Sequence, residues 1–258
     1  MERPTKRALA LLLGSAALLT GFYLTLDKLK DTLEGQLADR LTQAVDQLRD
    51  RNLEVRLGGI YALEGLARTS ESEYGSIMEI LTAFVRERAS LTKNQPPKEP
   101  PPRLAPDLQA ALDVIGRRRH TYQDGESQRL DLRGTDLRRA HLAGAKLAGA
   151  ILSEARLEEA NLAGIGLEGA ILRAAHLEHA NLVEARMQGA FLLNTGFNGA
   201  RLRNANLQGA FLGGAHLDSA DLLGADLTDA NGLTWEQLKL ARKDNRTRLP
   251  ASLAITAR

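Results

Sequence analysis

The chain has 258 residues, of which 43% are hydrophobic but only 4% aromatic, so leucine and alanine must build most of its core. Its formal net charge of +2 is too small to indicate a nucleic-acid partner or a strongly acidic one. It has no cysteine, which excludes disulfide bonds and thiolate metal sites.

The N-terminus predicts a short basic tail followed by a membrane span. Residues 1–7 (MERPTKR) are basic, and residues 8–26 (ALALLLGSAALLTGFYLTL) contain no charge. An uncharged stretch of this length suits a transmembrane helix, whereas the apolar region of a cleaved signal peptide is usually shorter. We therefore predict a single retained span rather than a signal peptide. Basic residues are nearly balanced on its two sides, so they set the orientation only weakly.

Amphipathic helices are predicted after the span. Over residues 27–93 apolar side chains recur at helical spacing, for example Val55, Ile60 and Leu63. Ser70 and Glu73 form a capping-box pattern that begins a further helix. Consecutive helices of this kind predict a small all-α domain, similar to an armadillo pair or a small bundle.

A proline-rich linker is expected next. Residues 94–106 hold six of the eight prolines, which indicates an extended spacer and a domain boundary. Another helix is predicted over PDLQAALDVIGRR (106–118), because Pro106 is suited to the first helical position, and residues 107–129 are assigned to this helix and the cap. We expect this segment to form the N-terminal cap of the part that follows.

From residue 130 to residue 230, here called the rod, the sequence repeats every five residues. Five residues turn an α-helix through about 500°, so such leucines would share no face. On a flat strand they would alternate between the two sides. A chain that turns a corner every five residues points them all inward, and two residues earlier the side chain is nearly always alanine. The predicted core positions are Leu152, Leu157, Leu162, Leu172, Leu177, Leu182, Met187, Leu192, Phe197, Leu202 and Leu207.

A longer period of twenty residues sets the number of sides. Ala-Ile-Leu begins at residues 150 and 170, and Ala-Phe-Leu begins at residues 190 and 210. Four units per coil would explain this recurrence and would give about five coils. With neighbouring strands about 4.8 Å apart, the rod would be roughly 24 Å long. One outward-facing column, here called the stripe, would consist of Ile151, Ile171, Phe191 and Phe211.

The repeat units also carry a family resemblance. ANLAG, ANLVE, ADLLG and ADLTD resemble the A-(D/N)-L-x-x unit of pentapeptide-repeat proteins. The resemblance implies a right-handed quadrilateral β-helix, a pentapeptide-repeat solenoid. The helical part upstream is similar to that of membrane-anchored bacterial members, which implies a single-pass protein of the bacterial cell membrane with its soluble part in the cytoplasm. No defined activity accompanies that subfamily.

The C-terminal segment, residues 231–258, is expected to cap the rod. In GLTWEQLKLARKD, Thr234 and Gln237 form a capping-box pattern that predicts a short capping helix. Trp235 or Leu238 would cover the open end of the last coil, because the ends of stacked repeats require a cap.

The sequence offers little chemistry for catalysis. His141, His176, His179 and His216 fall at outward positions, and His176 and His179 share one unit as a weak metal pair. We interpret them as solvated surface residues. Glycines after the core leucines are interpreted as corner residues rather than as a phosphate loop. We predict no catalytic, cofactor or metal site and no small-molecule substrate.

We therefore predict a non-enzymatic, membrane-anchored scaffold that presents the rod to a protein partner. The stripe would contact a foreign protein, a second copy or the chain's own helical domain. A DNA mimic that binds DNA gyrase, a role known in the wider family, is an alternative. The rod has twelve acidic and nine basic residues, too few negative charges to imitate a duplex. A metal-dependent enzyme using the histidines is a weaker alternative, and we expect no nucleic-acid partner.

Overall fold

The computed structural model describes residues 35–91, 103–122, 124–126 and 128–254. The predicted basic tail and membrane span lie outside these residues, as does most of the proline-rich linker. None of the helices in the described ranges is both long enough and apolar enough to cross a bilayer.

A helical unit precedes the rod. Its helices are α1 (35–48), α2 (Leu53–Thr69), α3 (Glu71–Arg88) and α4 (Pro106–Gly116). The side chain of Asn52 accepts a hydrogen bond from the Glu54 amide and begins α2, and the Ser70 hydroxyl accepts one from the Glu73 amide and begins α3. Such caps satisfy amide groups that have no partner inside the helix. The prediction of a small helical domain is confirmed.

The helical unit extends beyond the predicted boundary at residue 93. Helix α4 packs against both α2 and α3, and its carboxylate Asp107 is fully buried. Asp107 Oδ2 lies 2.6 Å from Arg56 Nε of α2 and 3.1 Å from Arg88 Nε of α3. The three helices therefore share one core and one buried ion-pair network.

The rod is a four-sided β-helix, as predicted. Parallel bridges join residues twenty apart on each side, for example Asp131 to Ile151 and Asp136 to Arg156. A short parallel pair, β1 (Thr121–Tyr122) and β2 (Gly125–Glu126), precedes it. Each of the eleven predicted core positions is at most 2% exposed. Successive coils thus stack leucine on leucine and alanine on alanine.

Two threonines replace alanine inside the rod without leaving their hydroxyl groups unpaired. Thr135 Oγ1 donates to the Leu132 carbonyl at 2.7 Å, and Thr195 Oγ1 donates to the Leu172 carbonyl at 2.8 Å. Both side chains are fully buried. A buried hydroxyl is tolerated where it finds such an acceptor.

The corners of the rod share one backbone conformation. Every fifth residue from Gly134 to Asp229, two places after the core side chain, has a φ between +54° and +71°. In one such corner the Ala175 amide donates to the Leu172 carbonyl at 3.0 Å. This bond, with a positive φ at the third residue, defines a type II turn, which favours glycine. Half of these positions nevertheless carry side chains, among them Ala174.

The side chains at these corners are a source of strain that substitution can measure. Ala174 has a φ of +54°, so Ala174→Gly should raise the free energy of unfolding by about 0.5–1 kcal/mol, the relief of strain exceeding the added chain entropy. Gly169→Ala should lower it by a similar amount, although an added Cβ would meet no atom within 4 Å. Urea unfolding of the full chain measures both changes.

Gly65→Ala is the matched control for these corner substitutions. Gly65 lies inside α2 with open space around it and no positive φ, so alanine there should stabilise by about 0.5–1 kcal/mol. An equal response of Gly65 and Gly169 to alanine would contradict the assignment of strain to the corners.

The helical unit closes the N-terminal end of the rod. On three sides of the first coil it supplies hydrogen-bond acceptors where a previous coil would otherwise stand. The Asp136 amide donates to the Ala89 carbonyl at 2.7 Å, and the Lys146 amide donates to the Gly116 carbonyl at 2.9 Å. The His141 amide donates to the side chain of Gln109 at 2.9 Å. The cap thus includes α4 together with the chain after α3.

The C-terminal cap differs from the prediction, because the expected capping helix is only one turn. The capping box forms, with the Thr234 amide 2.9 Å from Gln237 Oε1 and the Gln237 amide 3.3 Å from Thr234 Oγ1. The side-chain Nε2 of Gln237, however, donates to two backbone carbonyls of the rod. The chain then returns to the β-helix. Arg242 and Arg248 add two further bridges, so a helix cannot continue. A short helix, α5 (Ala251–Ala254), follows.

Leu238 rather than Trp235 fills the end of the rod. Leu238 is fully buried, whereas Trp235 is 40% exposed and donates through Nε1 to the Leu253 carbonyl at 3.2 Å. Leu253 is itself buried. The apolar side chain closes the core, and the indole ties the last described helix to the cap.

Asp244 organises the return of the chain. Its carboxylate accepts hydrogen bonds from the Gly224 amide at 2.9 Å, from Thr247 and from Arg246. These bonds lower the pKa of Asp244 to about 2, the Gly224 amide making the largest contribution. The carboxylate therefore stays ionised at neutral pH and links the cap to the last full coil.

Candidate interaction surface

The stripe occupies one side of the rod over four coils. Parallel bridges join Ile151 to Ile171, Ile171 to Phe191 and Phe191 to Phe211. The two phenyl rings stack with centroids 4.9 Å apart and planes 4° from parallel. Each phenylalanine is 38% exposed, and the two isoleucines are half-buried. Each residue directly precedes an inward leucine, so strand alternation directs it outward.

Leu193 belongs to the same apolar surface and was missed by the sequence analysis. It is 38% exposed, and its Cδ2 atom lies over Gly213 of the next coil. The signal was present in the sequence, because the equivalent places in earlier coils hold Arg133, Ser153 and Arg173. Leu193 widens the surface at the end where the phenylalanines lie.

Charged groups limit the stripe at its N-terminal end. Asp131, the first residue of this column, lies 2.6 Å from Arg86 of α3 and 2.8 Å from Arg133. Burial by itself raises the pKa of Asp131, but hydrogen bonds from Arg133 and the charges of both arginines outweigh it, and the pKa is lowered. Helix α3 thus contacts this column at Asp131, which precedes the stripe, while Phe191 and Phe211 remain exposed.

A second cluster lies on the adjacent side of the rod. Ligand-type atoms of Glu158, His176 and Glu178 all lie within 4.8 Å of one another. His176 Nδ1 lies 3.5 Å from Glu178 Oε1, and this contact raises the pKa of His176. Burial raises the pKa of Glu178, yet the hydrogen bond and charge of His176 lower it further than burial raises it.

The structure places the other predicted histidines apart from this cluster. His141, His179 and His216 are exposed, and His179 lies at a corner with φ +60° beside Gly199. The proximity of Glu158 to His176 was not predicted from the sequence: Glu158 stands one coil away and becomes adjacent through the twenty-residue period. The twenty-residue period, applied to these side chains, would have predicted that Glu158 lies beside His176.

The acids of the rod are largely neutralised by arginines of the same coil or the next. Glu159 lies 2.8 Å from Arg139, and Glu168 lies 2.7 Å from Arg186. Further pairs of this kind join Arg156 to Glu158, Arg203 to Asp221 and Arg248 to Asp226. Such a mixed surface does not reproduce the dense negative charge of a nucleic-acid duplex.

A groove of about 410 Å³ lies between α3 and the later residues Glu126 and 128–131. Its buried carboxylate Glu126 pairs with Arg118 at 2.7 Å, and Arg118 also donates to the Ala148 carbonyl of the rod. Burial raises the pKa of Glu126. These contacts join the first coil to the segment before it.

Comparison with known proteins identifies the repeats of the rod. The family of pentapeptide repeats matches residues 128–164, 160–194 and 197–231 in eight copies. No curated protein matches the chain.

Solved structures of pentapeptide-repeat proteins are similar to part of the chain. A pentapeptide-repeat protein from the thylakoid lumen of Arabidopsis thaliana is 34% identical over 45% of this chain and 82% of its own, with a TM-score of 0.41. One from the cyanobacterium Nostoc is 31% identical over 47% of this chain and 75% of its own, with a TM-score of 0.25. QnrB1, a plasmid-mediated fluoroquinolone resistance protein, is 18% identical over 43% and 77%, with a TM-score of 0.21.

Proposed function

The chain belongs to the pentapeptide-repeat family, and from this premise we propose that it acts as a protein-binding scaffold whose contact surface is the stripe. The observation that supports the proposal is the stacked, solvent-exposed pair of Phe191 and Phe211 on a rigid frame. Exposed apolar surfaces with charged rims are typical of protein interfaces. Aromatic side chains are enriched at the centres of such interfaces.

Rigidity favours recognition over catalysis in this proposal. Buried leucine and alanine fill the interior of the rod, and protein interiors are close-packed, so a substrate has no space inside it. Side chains on its surface are held at the regular intervals of the coils. A partner would therefore bind a surface that is already ordered, and binding would lose little conformational entropy on the side of the rod.

Substituting Phe191→Asp tests the stripe. The change removes one ring of the stacked pair and places a charge in the apolar surface, while the buried core is untouched. We expect an association of the full chain, with itself or with another protein, to weaken at least about tenfold, since burying an unpaired charge is costly. Light scattering of the purified protein and affinity capture from a bacterial detergent extract would measure it.

His216→Asp is the matched control. His216 occupies the same position of a repeat unit on the adjacent side, is exposed, and undergoes the same change in charge. Both variants should keep the circular dichroism spectrum of the parent. The proposal fails if Phe191→Asp unfolds the rod, if it leaves every association intact, or if both variants weaken association equally.

Membrane attachment through residues 8–26 stays a separate prediction from the sequence, as do the bacterial membrane location and the cytoplasmic side. The proposed role of the stripe does not depend on it. Fractionation of cells that express the full chain, compared with a chain that begins at residue 27, would test the attachment.

A further inference from the structure

We propose that the side of the rod next to the stripe carries a Zn²⁺ site formed by Glu158, His176 and Glu178. This site is independent of the proposed contact at the stripe. Its three ligand atoms come from two successive coils and lie within 4.8 Å of one another.

The backbone of the rod brings the three side chains together. Glu158 and Glu178 occupy the same place in successive coils, about 4.8 Å apart along the axis. His176 stands two residues before Glu178, and alternation along a strand directs both to the same face. Ligands held by a β-helix need little ordering before an ion binds.

Both carboxylates present an oxygen without a partner. Glu158 Oε2 and Glu178 Oε2 are buried and make no hydrogen bond to any described residue. Their side chains are 17% and 27% exposed, whereas the His176 side chain is 53% exposed, so the site would be open to solvent on the histidine side. A buried carboxylate oxygen without a donor is unfavourable, and a bound cation would satisfy both.

Arg156 orients the Glu158 side chain by bonding to only one of its two carboxylate oxygens. Its Nε donates to Glu158 Oε1 at 2.7 Å, so the second oxygen of Glu158 remains available. Ordering of a ligand by a neighbouring group is common around metal ions. With neutral His176, two carboxylates and one guanidinium leave a net negative charge that favours a cation.

Gly196 makes room for the third ligand. An added Cβ at this position would overlap Glu178 Oε1, so the carboxylate lies where any larger residue would place its side chain. Gly196 does not have a positive φ, so the backbone does not require glycine here. The missing side chain is explained instead by the position of the Glu178 carboxylate.

The ligand set selects the ion. One imidazole and two carboxylates suit Zn²⁺, whereas Mg²⁺ and Ca²⁺ prefer oxygen ligands alone. Three protein ligands leave a fourth tetrahedral position for water or for a side chain of a partner.

Calorimetric titration of the chelator-treated full chain with ZnCl₂ tests the site. We expect one Zn²⁺ ion per chain, and binding at least about tenfold weaker in His176→Ala and in Glu178→Gln. The exposed His179 and His216 provide controls, and alanine at either position should leave binding unchanged. CaCl₂ should give no comparable heat.

Two glycine variants distinguish Zn²⁺ binding at the proposed site from nonspecific Zn²⁺ binding to surface histidines. Gly196→Ala should displace the Glu178 carboxylate and weaken Zn²⁺ binding, while Gly166→Ala, at the same place of another side, should not. Unchanged circular dichroism would show that both variants fold. The proposal is overturned if no ion binds, or if all histidine variants bind equally well.

Discussion

Leu177→Asp is expected to unfold the rod. Leu177 is fully buried between leucine layers, and loss of such a side chain alone costs about 2–5 kcal/mol. The new carboxyl must either remain charged in a dry core or take up a proton, and both are unfavourable. The sum approaches the total stability of a typical domain, about 5–15 kcal/mol. Each coil is stabilised by its contacts with the adjacent coils, so unfolding of one coil should destabilise its neighbours in turn.

Thermal unfolding followed by circular dichroism, together with limited proteolysis, would measure this loss. The rod should become sensitive to protease, while the helical unit, whose helices pack on one another, is expected to resist longer. Leu240→Asp is the matched control, since Leu240 is 61% exposed and the same substitution there should change stability little. A Leu177→Asp protein as stable as this control would refute the inward direction of the leucines.

Asp107→Ala should strongly destabilise the helical unit. The carboxylate is fully buried and forms ion pairs with Arg56 and Arg88. Arg56 is itself buried. Removing one member of a buried ion pair leaves an uncompensated charge and costs about 3–5 kcal/mol. Urea unfolding of the full chain, followed by helical circular dichroism, would measure the change.

Two further variants distinguish the charge from the packing at Asp107. Glu64→Ala removes a partly exposed ion pair with Arg117 and should cost less than about 1 kcal/mol. The double variant Arg56→Met with Asp107→Leu removes both buried charges, and we expect it to regain much of the loss. If Asp107→Ala and Glu64→Ala were equally mild, the buried network would not hold the three helices together.

The repeat was predictable from the sequence because a single geometric rule applies in every unit. Leucine at intervals of five, as at Leu172 and Leu177, is incompatible with a helix face and with a flat strand. The recurrence of Ala-Ile-Leu and Ala-Phe-Leu at intervals of twenty then identifies four sides. The match to the family of pentapeptide repeats agrees with the first step, and the parallel bridges between residues twenty apart agree with the second.

Other features depend on tertiary contacts that no local pattern specifies. The capping box at Thr234 predicts a helix start, but the competing bonds of Gln237 to the rod limit it to one turn. Asp107 looks like an ordinary acid in the first turn of a helix, and its two arginine partners come from helices far away in the chain. The neighbours Glu158 and His176 become visible only once the coil length is applied to side chains other than the leucines.

The two closed ends of the β-helix determine how the molecule can grow into assemblies. An open coil would offer amide and carbonyl groups to another molecule and could nucleate a fibre by edge-to-edge addition. Here Ala89, Gly116 and Gln109 occupy those groups at one end, and the returning chain at Arg242 and Arg248 occupies them at the other. These contacts oppose the addition of another coil along the axis, so the described ends of the rod favour lateral association.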